Sequence, residues 1–436
     1  MKLTPLDDIT GKAMGHDARP LSRGAVEQYQ TERLRAVVDY CRQHSAFYRG
    51  KLTDAGILTV QSLQDLPRLP LTSEEELRNH GTEMLCVSQD AIARIITMQS
   101  SGTTGTPKRL FFTDSDLALT LDFFEQGMQP LVDCAQHVAI LLPGATPDST
   151  GHLLAQALKR RQVSSVILGL VDDPEQAARQ LSEIRPDVLV GFPIQILAIA
   201  RMAASLSLSL GTIRSVLLCS DYIPTSLCSQ LHKLLACEIF AHYGTVETGL
   251  GGGVDCAAHQ GVHLREADLL LEIIDPLTAK PLADGEWGEI VFTTLRRTAM
   301  PLLRYRTGDM GRLLAGPCPC GSHLRRLDKV LGRIKQIRSL QNGRQLALHE
   351  LDEILFSVPG LLDFKALLTT GTEGDILHIQ LVTAPGKHHQ VHRLVDEKLT
   401  KLCKNEPLVL AITTAATSSI QRGKRILEDK RQDNSI

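Results

Sequence analysis

The run Gln99-Ser100-Ser101-Gly102-Thr103-Thr104-Gly105-Thr106-Pro107-Lys108 places hydroxyls, two glycines and a cation directly after the apolar stretch 93–98. A loop leaving a strand with this composition can wrap a polyphosphate. Glycine lets the backbone approach closely, and successive amides in such a turn form a concavity for anions. The hydroxyls of Ser101, Thr103, Thr104 and Thr106 and the ammonium of Lys108 then add to it. In the common nucleotide-binding P-loop, Gly is followed directly by Lys and then Ser or Thr. Here Pro107 stands between Thr106 and Lys108, and Arg109 follows. A plain surface loop has the same composition, so the run needs partners elsewhere in the chain.

Several short segments supply them. Tyr243-Gly244-Thr245-Val246-Glu247 ends in a carboxylate, the oxygen ligand that a hard cation such as Mg²⁺ prefers. Tyr305-Arg306-Thr307-Gly308-Asp309 carries a short carboxylate able to accept two charge-assisted hydrogen bonds from a vicinal diol. Gly332-Arg333-Ile334-Lys335 and Arg422-Gly423-Lys424 are basic turns, the second in a run that reads by itself as a solvated tail. A separate group, Cys256, His259, His263, Cys318 and Cys320, holds enough donors for a tetrahedral structural zinc built from three Cys and one His. The Cys318-Pro319-Cys320 spacing is tighter than the usual C-x₂₋₄-C, and either histidine could complete the set. Unligated thiols in a reducing cytosol are the competing account.

Composition narrows the field. The chain has 436 residues, 43% of them hydrophobic and 22% charged, with a formal net charge of −2. That length predicts two domains, and the charge balance gives no reason to expect nucleic acid. No uninterrupted apolar stretch reaches the roughly 18 residues of a membrane span, and acids stand where a signal peptide needs an apolar core. A soluble cytoplasmic protein is the expectation. The cysteines are scattered through a long chain, so a disulfide framework is not expected.

The elements that must position these residues follow from periodicity. A basic amphipathic helix is predicted over about 25–50. Apolar runs at 138–142, 165–170, 187–191, 215–219 and 238–242 read as buried strands, with helices near 151–162, 174–184, 194–206 and 224–236 between them. Continuous Val/Ile/Leu runs separated by helices predict a parallel sheet covered on both faces, with ligands beyond the carboxyl ends of its strands. After residue 253 the texture alternates, and 264–274 and 289–294 are predicted as a strand pair joined by a Pro/Gly/Asp-rich connection. Beyond 332, helices near 349–357 and 388–403 and strands near 364–369, 376–382 and 408–413 predict a small α+β domain.

The loop SSGTTGTPK and the three motifs after it, in the same order, resemble the adenylate-forming superfamily of acyl- and aryl-CoA synthetases. The opening, with Tyr40-Cys41-Arg42-Gln43-His44-Ser45-Ala46-Phe47-Tyr48-Arg49 and then Leu66-Pro67-Arg68-Leu69-Pro70, looks like the phenylacetate-CoA ligase branch. The resemblance implies an α/β fold: a large N-terminal domain over 1–332 with an antiparallel β subdomain at about 254–332, then a mobile α+β domain over 333–436. It implies ATP, Mg²⁺, coenzyme A and a small carboxylic acid as ligands, and a homodimer is compatible with the branch. The loop 101–106, including Gly102 and Gly105, and Lys108 would hold the β- and γ-phosphates. Tyr243, with Gly244 and Thr245, would meet the nucleotide, Glu247 would hold Mg²⁺, and Asp309 would bind the ribose hydroxyls. Arg333 and Lys335 match the segment about which the last domain turns, and Lys424 matches the adenylation lysine. The branch's Gly-x-His pattern favours His263 over His259 as the fourth zinc ligand. Two departures stand out: Val246 replaces a usual hydroxyl residue, and Cys219-Ser220-Asp221 replaces a small-small-acid triplet such as Gly-Ala-Glu. The loops do not separate coenzyme A from a carrier-protein thiol or a hydroxyl as acceptor. They also leave open a nucleotide-binding protein without turnover.

Overall fold

The computed structural model describes residues 3–16, 20–98, 107–132, 136–372, 374–402, 408–415 and 419–431. The chain forms two compact units. One comprises 1–130, 156–161 and 241–330; the other comprises 131–155, 162–240 and 331–436. The boundary expected at Arg333 lies close to the point where the chain passes into the second unit for the last time.

In the first unit the predicted N-terminal helix is two helices, Arg23–His44 and Ala46–Asp54. Ser45 causes the break. Its hydroxyl accepts from Tyr48 N, which caps the second helix, and donates to Glu83 O at 2.8 Å, the kind of side-chain bond that lets serine compete with helix continuation. Val38, Tyr48 and Leu52 are thereby buried with Leu110, Phe112, Phe292 and Tyr305 in one core. Strands Arg94–Met98 and Lys108–Phe112 pair antiparallel with Met98 opposite Lys108. The helix Asp114–Gly127 follows at once, started by a capping box between Thr113 and Asp116.

The same unit holds an antiparallel sheet of Leu269–Ile274, Gly288–Thr294 and Tyr305–Gly311. The predicted strand 264–274 is in fact two pieces, Val262–Leu264 and Leu269–Ile274, in different sheets. Arg265, Glu266 and Asp268 between them are buried polar residues, which simple alternation does not reveal.

The second unit carries the parallel sheet. Ser164–Ile167, His137–Leu141, Val188–Gly191 and Ser215–Leu218 lie side by side in that order, all parallel. Helices Pro174–Ile184 and Pro193–Ser205 connect strands of this sheet and Thr225–Leu235 follows Ser215–Leu218, while Ile196, Leu197, Ile199 and Met202 are buried in the same core as the sheet's Leu189, Val216 and Leu218. Fully buried Val/Ile/Leu strands are what a parallel sheet needs. Residues 331–436 add a four-stranded sheet of Leu408–Thr414, Gly374–Thr383, Leu361–Gly371 and Leu427–Asp429, with helices Leu348–Leu355 and His388–Leu402. Phe356, Phe364 and Leu377 share one apolar cluster with the helix Pro193–Ser205. The mixed α/β class, with a parallel sheet flanked by helices and smaller antiparallel sheets, is therefore as the sequence predicts. No described helix is long and apolar enough to cross a membrane.

Candidate active site and metal centre

Strand Glu238–Tyr243 ends at a turn that only glycine allows: a Cβ on Gly244 would stand 2.7 Å from both His242 Cε1 and Leu250 O. Thr245 and Thr248 then tie the turn to itself. Thr245 N donates to Thr248 Oγ1 at 3.0 Å, Thr248 N to Thr245 Oγ1 at 3.3 Å, and Thr248 Oγ1 to Thr245 O at 2.9 Å. This fixes Glu247 inward. Its side chain is 5% exposed, and Lys108, itself 4% exposed, reaches it across 139 residues of sequence with Nζ 2.5 Å from Oε1.

Two more groups close the cluster. Glu74 Oε1 lies 3.1 Å from Lys108 Nζ, and the Tyr305 hydroxyl donates to Glu247 Oε1 at 3.1 Å. Burial raises the Glu247 carboxyl, but the Lys108 charge and hydrogen bond more than reverse this and hold it at about 2. The group is a carboxylate at any physiological pH.

Asp309 sits in the last strand of the antiparallel sheet, and its Oδ2 accepts from the buried Tyr243 hydroxyl at 3.2 Å. Gly308, at φ +73°, turns the backbone before it, and Gly308 N donates to Glu289 Oε1 at 3.0 Å. Thr307 Oγ1 accepts from Asp309 N at 3.0 Å. Three segments distant in sequence thus bring Lys108, Tyr243 with Glu247, and Asp309 into one compact unit. Ser101, Gly102, Thr103, Thr104, Gly105 and Thr106 lie outside the described residues. Lys424 and Arg333 belong to the other unit; Lys424 is exposed, and Arg333 precedes the single helical turn Ile334–Gln336.

Cys256, His263, Cys318 and Cys320 are all buried, and their ligand atoms lie within 4.8 Å of one another. Cys256 Sγ is 3.7 Å from Cys318 Sγ, and Cys320 Sγ is 3.5 Å from His263 Nε2. A tetrahedral zinc with Zn–S of about 2.3 Å and Zn–N of about 2.05 Å has edges of about 3.8 and 3.5 Å. The donor set fits that ion in type, number and spacing. Burial and the nearby Arg326 charge lower His263 to about 4, so its imidazole is neutral, the form that ligates. His259 points elsewhere, with Nδ1 3.0 Å from Asp255 Oδ2.

A model of the AMP-binding enzyme family matches residues 27–296. The chain belongs to that family. The match contains Lys108, Tyr243 and Glu247 together with Cys256 and His263; Asp309, Cys318, Cys320 and Lys424 lie beyond it. Among curated relatives, the chain is 28% identical to a phenylacetate-coenzyme A ligase of Thermus thermophilus, over 90% of this chain and 93% of that one. It is also 28% identical to the Escherichia coli phenylacetate-coenzyme A ligase, over 72% and 73% of the two chains. Among solved structures, a 2-hydroxyisobutyryl-CoA ligase with its acyl adenylate superposes at TM-score 0.80 with 17% identity, over 94% of this chain and 91% of that one. These findings bear out the adenylate-forming resemblance and its phenylacetate-CoA ligase-like branch.

Sequence reasoning missed Glu74 and Tyr305. Glu74 looks like one more acid opening a short helix beside the capping-box residue Glu76, and nothing local distinguishes the one that meets a buried lysine. Tyr305 stands inside the YRTGD segment, so its neighbours were a signal, but its hydroxyl's reach to Glu247 comes only from the strand register.

Proposed function

We propose that this protein activates a small carboxylic acid with ATP, forming an acyl adenylate and pyrophosphate, and then transfers the acyl group to coenzyme A with release of AMP. The observation that carries this reading is the convergence of the Lys108–Glu247 pair and the Tyr243–Asp309 pair in one unit of a chain similar over 90% of its length to a phenylacetate-coenzyme A ligase. A carboxylate is a poor acylating agent until its oxygen is joined to a good leaving group. Adenylation supplies one, provided that the acid and the α-phosphorus are held in line.

Asp309 is suited to accept the ribose hydroxyls, since its carboxylate already accepts a hydroxyl donor. Tyr243 would line the nucleotide, with Gly244 and Thr245 shaping the turn below it. Lys108 and the hydroxyl-rich loop 101–106 would meet the outer phosphates, and Glu247, kept ionised, would hold Mg²⁺, whose charge offsets that of the phosphates. In this reading residues 333–436 move as a domain about Arg333 and Lys335 between the two half-reactions. Lys424 would stabilise the charge developing between acid and α-phosphate. The Cys256, His263, Cys318 and Cys320 cluster would bind a structural zinc, because four protein donors leave no open position. A cytoplasmic location, where ATP and coenzyme A are supplied, belongs to the same reading.

The test is acid-dependent pyrophosphate release with phenylacetate, benzoate and short hydroxy acids, followed by loss of free coenzyme A thiol. Turnover of both kinds supports the reading. ATP binding without acid-dependent pyrophosphate favours a second one, a nucleotide-binding protein without turnover. The observation behind that alternative is Val246 where relatives carry a hydroxyl, with Thr245 and Thr248 already bonded to each other.

A further inference from the structure

The loop carrying Lys424 is held by side chains that no motif includes. Gln195 is 1% exposed in the largely apolar helix Pro193–Ser205, whose other buried polar residue is Arg201. A buried amide must find partners or destabilise its surroundings. Its Oε1 accepts from Val171 N at 3.2 Å, and its Nε2 donates to Gln421 O at 3.3 Å and Arg422 O at 3.0 Å. Ile420 N donates to Asp172 O at 2.9 Å. On the other side of the lysine, Asp221 accepts from its own neighbour Tyr222 N at 2.9 Å; burial raises its carboxyl, and the charge of Arg425, with that of Lys424, acts in the opposite direction. Ser220, at φ +74°, sets Asp221 in place through a backbone conformation costly for a serine. Strain of that kind persists where surrounding contacts fix it.

Arg425 completes the arrangement from within residues 333–436. It is 4% exposed, with Nη1 2.5 Å from Asp352 Oδ1 and Nε 3.2 Å from Asp363 Oδ1, and its guanidinium lies over the rings of Phe364 and Phe356. Asp363 also accepts from Gln421 N at 2.9 Å. Lys424 is therefore an exposed residue on a backbone held from both sides: Arg425 fixes the loop to its own domain, while Gln195 bonds it to the parallel-sheet layer and the Asp221 carboxylate attracts its cations there.

We propose that Gln195 and Asp221 are positioning residues that seat the 420–425 loop and so set Lys424 for acyl-adenylate formation, releasing it for transfer to coenzyme A. This rests on the reading of Lys424 as the adenylation lysine. It also accounts for the unusual triplet Cys219-Ser220-Asp221, whose acid acts on the cations Arg425 and Lys424 of the C-terminal region. Because Gln195 and Asp221 belong to the layer that the loop leaves, they act in one half-reaction only. Arg425 travels with the loop and affects both.

The experiment measures the half-reactions separately in the full-length protein: phenylacetate-dependent pyrophosphate release, and thioester formation from preformed phenylacetyl adenylate and coenzyme A. Gln195→Leu and Asp221→Asn should each lower kcat for pyrophosphate release by about 10- to 100-fold, the scale of misplacing a catalytic group by about 1 Å. The KM for ATP should stay within about twofold, and thioester formation should stay near wild type. Asp221→Glu should recover part of the loss. Equal losses in both half-reactions, or no loss in either, overturn the proposal; the second half-reaction also reports whether a variant has folded. Lys424→Ala separates the two levels: if it keeps full pyrophosphate release, the lysine assignment fails. If it loses that activity while Gln195→Leu and Asp221→Asn do not, only the seating fails.

Discussion

Replacing Lys108 by methionine should destabilise the first unit by about 3 kcal/mol. The substitution keeps the length of the side chain and removes its charge, leaving Glu247 at 5% exposure without its cation, though the Tyr305 hydroxyl still donates to it. Breaking a buried ion pair from one side costs about 3–5 kcal/mol, because the remaining charge is desolvated without compensation. The surviving hydrogen bond and the partly exposed Glu74 place this pair at the lower end. Lys108→Met/Glu247→Gln should recover much of the loss, so the two single effects should not add. The protein's single tryptophan, Trp287, lies in this unit beneath Arg312, and its fluorescence in a urea titration reports unfolding there. The pH dependence follows in sign. In wild type the Glu247 carboxyl is depressed from about 4.5 to about 2, so its contribution is complete above pH 4.5 and is lost as pH falls toward 2. Without Lys108, burial becomes the dominant influence and raises the carboxyl against its remaining hydrogen bonds, so lowering the pH relieves the variant by protonating it. The stability gap between wild type and Lys108→Met should narrow on acidification from about pH 7.5 to about pH 5. A variant as stable as wild type, single effects that simply add, or a gap that widens in acid would each refute the pairing argument.

Zinc analysis of the purified protein should return one metal per chain, and Cys318→Ser or chelation should remove it and lower the melting temperature; a metal-free protein with unchanged melting would dismiss the cluster as a site. Asp309→Ala should weaken AMP binding by at least about 10- to 100-fold by calorimetry, the contribution of one charge-assisted hydrogen bond of about 1.5–3 kcal/mol, with unchanged affinity counting against the ribose assignment. Gly251→Ala would place a Cβ 2.2 Å from two ring carbons of Phe123 and should cost about 1–3 kcal/mol in the urea assay, an overpacking penalty that a neutral result would contradict.

Much of the architecture was legible because its signals are local. The runs 138–142, 187–191 and 215–219 are continuous apolar stretches with helical patterns between them, and each became a strand of the parallel sheet. The break at Ser45 was less visible, since the residue interrupts no periodicity and acts through a bond to Glu83, 38 residues away. At the site, the sequence singled out Lys108, Tyr243, Glu247 and Asp309 by type and order. It held no hint that Lys108 meets Glu247, or that Glu74 shares the lysine, because side-chain pairing over such separations is set by strand register and helix placement rather than by pattern.

Residues 420–425 sharpen the point. Gln421-Arg422-Gly423-Lys424-Arg425 reads as a solvated basic run, and two of its cations, Arg422 and Lys424, are exposed. Arg425 is not. It is buried among Asp352 and Asp363 and two phenylalanine rings, all supplied by other elements of the same region. Neighbouring positions with the same charge therefore do opposite work: one guanidinium anchors the backbone so that the adjacent ammonium projects from a fixed point. A mobile tail could carry Lys424 to a phosphate only by losing the freedom of the whole segment on arrival, an ordering cost of about 1–2 kcal/mol per residue. A loop already fixed by Arg425 and Gln195 has met that cost in folding, so Lys424 projects from backbone that is already ordered.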